Sequence, residues 1–134
     1  MKAAKTILIV SDETESASKM AEAIAAVLKG NKVTVKKAEA FTGTDLLPAD
    51  SFFIGCEKPN PPSFGYLAEL LQHINLAGRT CGIFAPAASG SEKAVKYLAG
   101  LLKDCEAALN PKPLLAENAK DLKAWAESII ANNF

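Results

Sequence analysis

The sequence predicts a three-layer α/β/α fold: a five-stranded parallel sheet in the order 2-1-3-4-5 with helices on both faces. Three observations carry this expectation. Short apolar runs of strand length alternate with segments of helical periodicity. The runs are apolar throughout, as in strands covered on both faces. The first run, Thr6-Ile7-Leu8-Ile9-Val10, opens through Ser11-Asp12-Glu13-Thr14-Glu15-Ser16 straight into an amphipathic segment. Parallel strands need right-handed crossovers that lie on the sheet, so this alternation implies helices on both sides. Residues 1–134 are read as one domain, a length sufficient to bury a core.

After Thr6–Val10, the residues Ala17, Met20, Ala21, Ile24, Val27 and Leu28 recur at helical spacing, and Gly30 supplies a stop. Val33–Val35 is short, alternating and more polar, which suits a sheet edge. Ser51–Gly55 is the next buried strand. Phe64, Leu67, Ala68, Leu71 and Ile74 form a second helical stripe, entered through Pro61-Pro62-Ser63. Thr80–Ala85 is a fourth strand. Ser89-Gly90-Ser91-Glu92 has the spacing of a capping box, with Val95, Leu98, Ala99 and Leu102 as the helix face behind it. A last strand falls at Glu106–Leu109 or at Leu114–Ala116, on either side of Pro111 and Pro113. Asn118 is the expected cap of a closing helix whose inward face is Leu122, Trp125, Ala126, Ile129 and Ile130.

Composition narrows the function. Fifteen Lys and Arg balance fifteen Asp and Glu, for a net charge of zero. A neutral chain lacks the basic face that nucleic acid or an anionic membrane surface would require. No apolar run approaches the roughly 18 residues of a membrane span, and Met1–Lys5 leads directly into a strand. Cys56, Cys81 and Cys105 are odd in number and widely spaced, without a zinc-type pattern, and read as reduced thiols of a cytoplasmic protein.

In the order 2-1-3-4-5 a crevice forms outside the C-terminal ends of the first and third strands. Three loops line it: Ser11–Ser16, Cys56–Ser63 and Pro86–Ser91. A strand running into a hydroxyl-rich turn and a helix N-terminus is a ready anion site. Here the turn also carries Asp12, Glu13 and Glu15, charges that oppose an anion. Carboxylates there are equally suited to capping the helix, as a solvated acidic turn.

Three further stretches resemble flavodoxins. Leu46–Gly55 is similar to that family's third strand, with its preceding Asp and closing Gly. Leu76-Ala77-Gly78-Arg79-Thr80 resembles the Leu-x-Gly-Lys/Arg entry to the fourth strand. Ser89–Val95 is similar to the loop-to-helix step in the flavodoxin-like domains of flavo-diiron proteins. The resemblance implies a noncovalent FMN and electron transfer to a redox partner protein. The family's phosphate loop, roughly Ser/Thr-x-Thr-Gly-Asn-Thr, falls on Asp12–Ala17. Glu15 then stands in place of Gly, and Ala17 in place of a hydroxyl. Carried over in this way, the cofactor-binding candidates are Ser11, Thr14, Ser16, Cys56, Ser89 and Ser91. Neither the second nor the third crevice loop contains an aromatic residue to stack on a flavin. The alternative implied is a flavin-free member serving as a protein-interaction or small-ligand module. Ile7–Glu13 and Lys112-Pro113 also resemble response-regulator receivers, but Gly55-Cys56 stands where their phosphoacceptor Asp belongs. His73, the sole histidine, forms no catalytic arrangement with a nucleophile.

Overall fold

The computed structural model describes residues 4–86 and 90–134. Its sheet contains β1 (Thr6–Ser11), β2 (Lys32–Lys37), β3 (Ser51–Gly55), β4 (Thr80–Ala85), β5 (Ala108–Leu109) and β6 (Leu114–Leu115). The order is β2-β1-β3-β4-β5, all parallel, with β6 also paired to β4. Helices α1 (Glu15–Val27), α2 (Gly43–Leu46), α3 (Gly65–Leu71), α4 (Ser91–Leu101) and α5 (Leu122–Ile130) connect or follow the strands. The expected architecture is therefore present, and the polar β2 lies at an edge.

Strand alternation divides the core into two layers. Ile7, Ile9, Phe53 and Phe84 point to one face, where Met20 and Ile24 of α1 and Trp125 and Ile129 of α5 cover them. Leu8, Val10, Phe52, Ile54 and Ile83 point to the other face, against Leu67 and Leu71 of α3 and Ala94 and Leu98 of α4. Trp125 packs edge-on to Phe53, with centroids 5.5 Å apart, and its indole N–H donates to the Lys112 carbonyl at 2.7 Å. Its expected role as packing is met, with one added polar anchor.

Four local readings are refined. Both alternatives for the last strand form: β5 pairs with Thr80–Cys81 and β6 with Phe84–Ala85. Between them Pro111 and Pro113 have no N–H to give the ladder. The Lys112 N–H turns instead to the Asn110 side chain, at 3.0 Å. Asn118 does not cap α5. It lies in a 3-10 segment, Ala116–Asp121, and accepts the Leu115 N–H at 2.6 Å; Asp121 precedes the helix. The residue capping α4 is Gly90, at φ +78°, rather than Ser89, which lies outside the described residues. A left-handed cap suits glycine, and it leaves no side chain to bond the helix. Helix α3 ends at Leu71, so Phe64 precedes it in a 3-10 turn and Ile74 follows it.

Two strand glycines are required by close packing. A Cβ on Gly55 would lie 2.2 Å from the Phe84 ring, and one on Gly82 would lie 2.4 Å from Ile129 Cδ1 and 2.9 Å from Trp125. Gly82→Ala is expected to destabilise the fold by about 1–3 kcal/mol through overpacking beneath α5. Urea denaturation measures this; an unchanged midpoint would contradict the packing described.

Candidate functional site

The C-terminal ends of β1 and β3 lie side by side, Ser11 opposite Gly55. The two chains leave the sheet there as the first and second crevice loops. Asp12 joins them. Its N–H donates to the Gly55 carbonyl at 3.3 Å, and its carboxylate turns inward, leaving the residue 2% exposed. Asp12 Oδ1 accepts the Thr14 N–H at 3.1 Å and the Thr14 hydroxyl at 2.5 Å, while Oδ2 accepts the Glu57 N–H at 3.0 Å. A buried carboxylate is tolerated when donors surround it, and three do here. Thr14 is also the N-cap of α1, its hydroxyl accepting the Ala17 N–H at 3.4 Å.

One residue pair closes the arrangement. The half-buried Ser16 hydroxyl donates to the carboxylate of Glu57, across the crevice from the first loop. The remaining acids point outward. Glu15 pairs with Lys19 at 3.2 Å, both side chains well exposed, a contact of little energetic worth. Glu13 is exposed. The Ser63 hydroxyl and the residue's own N–H hold the Glu13 carboxyl below its ordinary range, with a lesser pull from Lys37. Ser63 Oγ is buried and has no other hydrogen-bond partner among the described residues. Lys37 itself donates to Ser18 Oγ at 2.8 Å.

The sequence-predicted contacts separate accordingly. Thr14 and Ser16 lie together at the mouth of the first loop, their hydroxyls already engaged. Ser91 opens α4 and is half-buried. Ser11 is 1% exposed and Cys56 0% exposed, so both are covered by protein. Burial, with the nearby Asp12 charge adding to it, pushes the Cys56 thiol up to about 12, which removes the thiolate that a reactive cysteine needs. Ser89 lies outside the described residues. Glu57 was missed: it stands 41 positions from Ser16, and only the pairing of β1 with β3 brings the two together.

Aromatic residues near these loops are committed elsewhere. Phe64 is buried in the core, and Tyr66 packs on Phe41 while its oxygen accepts the Gly43 N–H at 3.3 Å. Two cavities lie away from the crevice. One, of about 460 Å³, runs beside β5, β6 and α5, where Lys112, Trp125 and Phe134 line it. The other, of about 900 Å³, lies at the opposite end of the strands, near Lys5, Asn31 and Glu127. No helix is long and apolar enough to cross a membrane among the described residues.

No protein-family model matches the sequence, and no curated protein sequence does. Solved structures do match along the whole chain. A short-chain flavodoxin associated with a PDU bacterial microcompartment superposes with a TM-score of 0.82 at 15% identity, covering 98% of this chain and 100% of that one. Flavodoxin 2 from Bacillus cereus gives 0.81 at 20% identity, covering 96% and 99%. A Fusobacterium nucleatum flavodoxin bound to flavin mononucleotide gives 0.76 at 12% identity, covering 96% and 98%. The chain has the flavodoxin-like fold.

The residues present do not fit the phosphate of FMN. The Thr14 N–H and hydroxyl and the Ser16 hydroxyl, donors an anion would need, are given to Asp12 and Glu57. A phosphate about 5 Å from one such carboxylate would be repelled by roughly 3 kcal/mol for each pair of unit charges, at an effective dielectric near 20.

Asp12→Ala, which strands the Thr14 and Glu57 N–H groups, is expected to cost on the order of 3 kcal/mol in urea denaturation; a loss below about 1 kcal/mol would contradict the role given to these inter-loop bonds. The lowered Glu13 carboxyl contributes stability that is present above the ordinary Glu range and lost as pH falls through the folded-state value. Ser63→Ala is expected to move the Glu13 titration midpoint upward in NMR. An unmoved midpoint would assign the shift to its own backbone N–H.

Proposed function

We propose that this protein is a flavodoxin-type electron carrier that takes a flavin at the C-terminal edge of the sheet and holds FMN weakly. The observation that carries this reading is the full-length likeness to flavodoxins, one of them bound to flavin mononucleotide, together with a crevice at the switch point between β1 and β3. The flavin, when bound, supplies the redox chemistry. The chain's own residues shape the mouth: Asp12 fixes the first loop against the second, Thr14 starts α1, and Ser16 and Glu57 span the gap. A redox partner protein belongs to the same reading.

A second reading, a flavin-free module for protein interaction or small-ligand binding, is favoured by one specific observation. The second crevice loop, Glu57–Ser63, brings no aromatic side chain, and its Glu57 bonds Ser16.

Flavin fluorescence decides between them. The first reading predicts saturable quenching as protein is added to FMN. It also predicts tighter FMN binding in Glu15→Gly, which removes a charge and restores backbone freedom at the loop, on the order of tenfold for each 1.4 kcal/mol relieved. Absence of quenching with either FMN or riboflavin would overturn it in favour of the second.

A further inference from the structure

We infer that Asp12 and Glu57 fill the anion position of the first loop with the chain's own carboxylates, so that the crevice selects against a phosphate-bearing flavin and takes a phosphate-free one at least as well. Its flavin half rests on the proposed function; its phosphate half does not. The argument starts from donors. An anion-binding turn works by presenting N–H and hydroxyl groups that lack other partners. In this turn the Thr14 N–H and hydroxyl are taken by Asp12 Oδ1, and the Ser16 hydroxyl by Glu57. The Glu57 N–H, the nearest backbone donor of the facing loop, is taken by Asp12 Oδ2. The Ala17 N–H is spent on Thr14 Oγ1.

Displacement is unequal for the two acids. Asp12 is 2% exposed and bonded to both loops, so moving it would dismantle the turn. Glu57 is half-buried and bonded through its side chain to Ser16 alone among the described residues. An incoming phosphate would therefore have to swing Glu57 away and still face the fixed Asp12 charge. Two of the cations nearby are already engaged. Lys19 lies on the exposed side with Glu15, and Lys37 is bonded to Ser18 and adjacent to Glu13. A ligand whose tail carries hydroxyls in place of phosphate meets no such opposition, since the half-buried Glu57 carboxylate can accept hydrogen bonds from it. Glu57 is thus the specificity-determining residue, and Asp12 is the one that positions it, through the Glu57 N–H.

The test compares FMN with riboflavin, two ligands that differ by the phosphate alone, in the wild type and in Glu57→Gln. That substitution keeps an acceptor for Ser16 and removes the charge. The expected result is a riboflavin dissociation constant equal to or below that of FMN in the wild type. In Glu57→Gln, FMN binding should tighten by roughly tenfold, about 1.4 kcal/mol, while riboflavin binding does not tighten. FMN binding tenfold or more tighter than riboflavin in the wild type would overturn the inference, as would an equal effect of the substitution on both ligands.

If neither flavin binds, the proposed function fails and the phosphate half is decided separately, with inorganic phosphate alone. Millimolar phosphate should leave the Thr14, Ser16 and Glu57 amide resonances of the wild type in place and shift them in Glu57→Gln. Saturable shifts in the wild type would overturn the inference.

Discussion

A buried carboxylate persists in a protein interior when donors surround it, and Asp12 meets that condition by drawing two loops together. Its three bonds to Thr14 and Glu57 determine how the chain leaves β1, where α1 begins, and how closely the second crevice loop approaches. The Ser16–Glu57 contact follows from that approach. The switch-point crevice of a doubly wound sheet is thereby held shut at one corner by negative charge.

This resolves the conflict between an anion-site scaffold and an acidic turn. The three acids of the turn do different work. Asp12 is structural and turned inward, whereas Glu13 and Glu15 face solvent. The acid that meets the Ser16 hydroxyl comes from the facing loop, after β3. A flavodoxin-like sheet needs only its buried strands and helix stripes to form, and those are indifferent to the charge at its rim. Fold and rim chemistry can therefore separate, as the full-length likeness to flavodoxins beside loop hydroxyls bonded to Asp12 and Glu57 illustrates.

The fold was legible because its strongest determinants are local. Thr6–Val10, Ser51–Gly55 and Thr80–Ala85 are continuous apolar runs, and the stripes of α1, α4 and α5 repeat at helical spacing. The four-residue α2 was not legible, having too few residues for periodicity; it rests on the Thr42 N–H bonded to Asp45 at 3.0 Å. Pro111 and Pro113 correctly marked an interruption, but only the register against β4 shows the chain returning to the same edge. At the site, hydroxyls and acids could be named from the sequence, while their directions could not. Whether Asp12 faces inward depends on the Glu57 N–H, 45 positions away, and Ser16 meets Glu57 only through strand pairing.

The most direct test of a self-occupied loop is a crystal structure of the protein grown from concentrated phosphate. The account predicts Asp12 bonded to Thr14 and to the Glu57 N–H, Glu57 on Ser16, and no anion between them. A phosphate ordered on the Thr14 and Ser16 hydroxyls, with Glu57 swung into solvent, would contradict it.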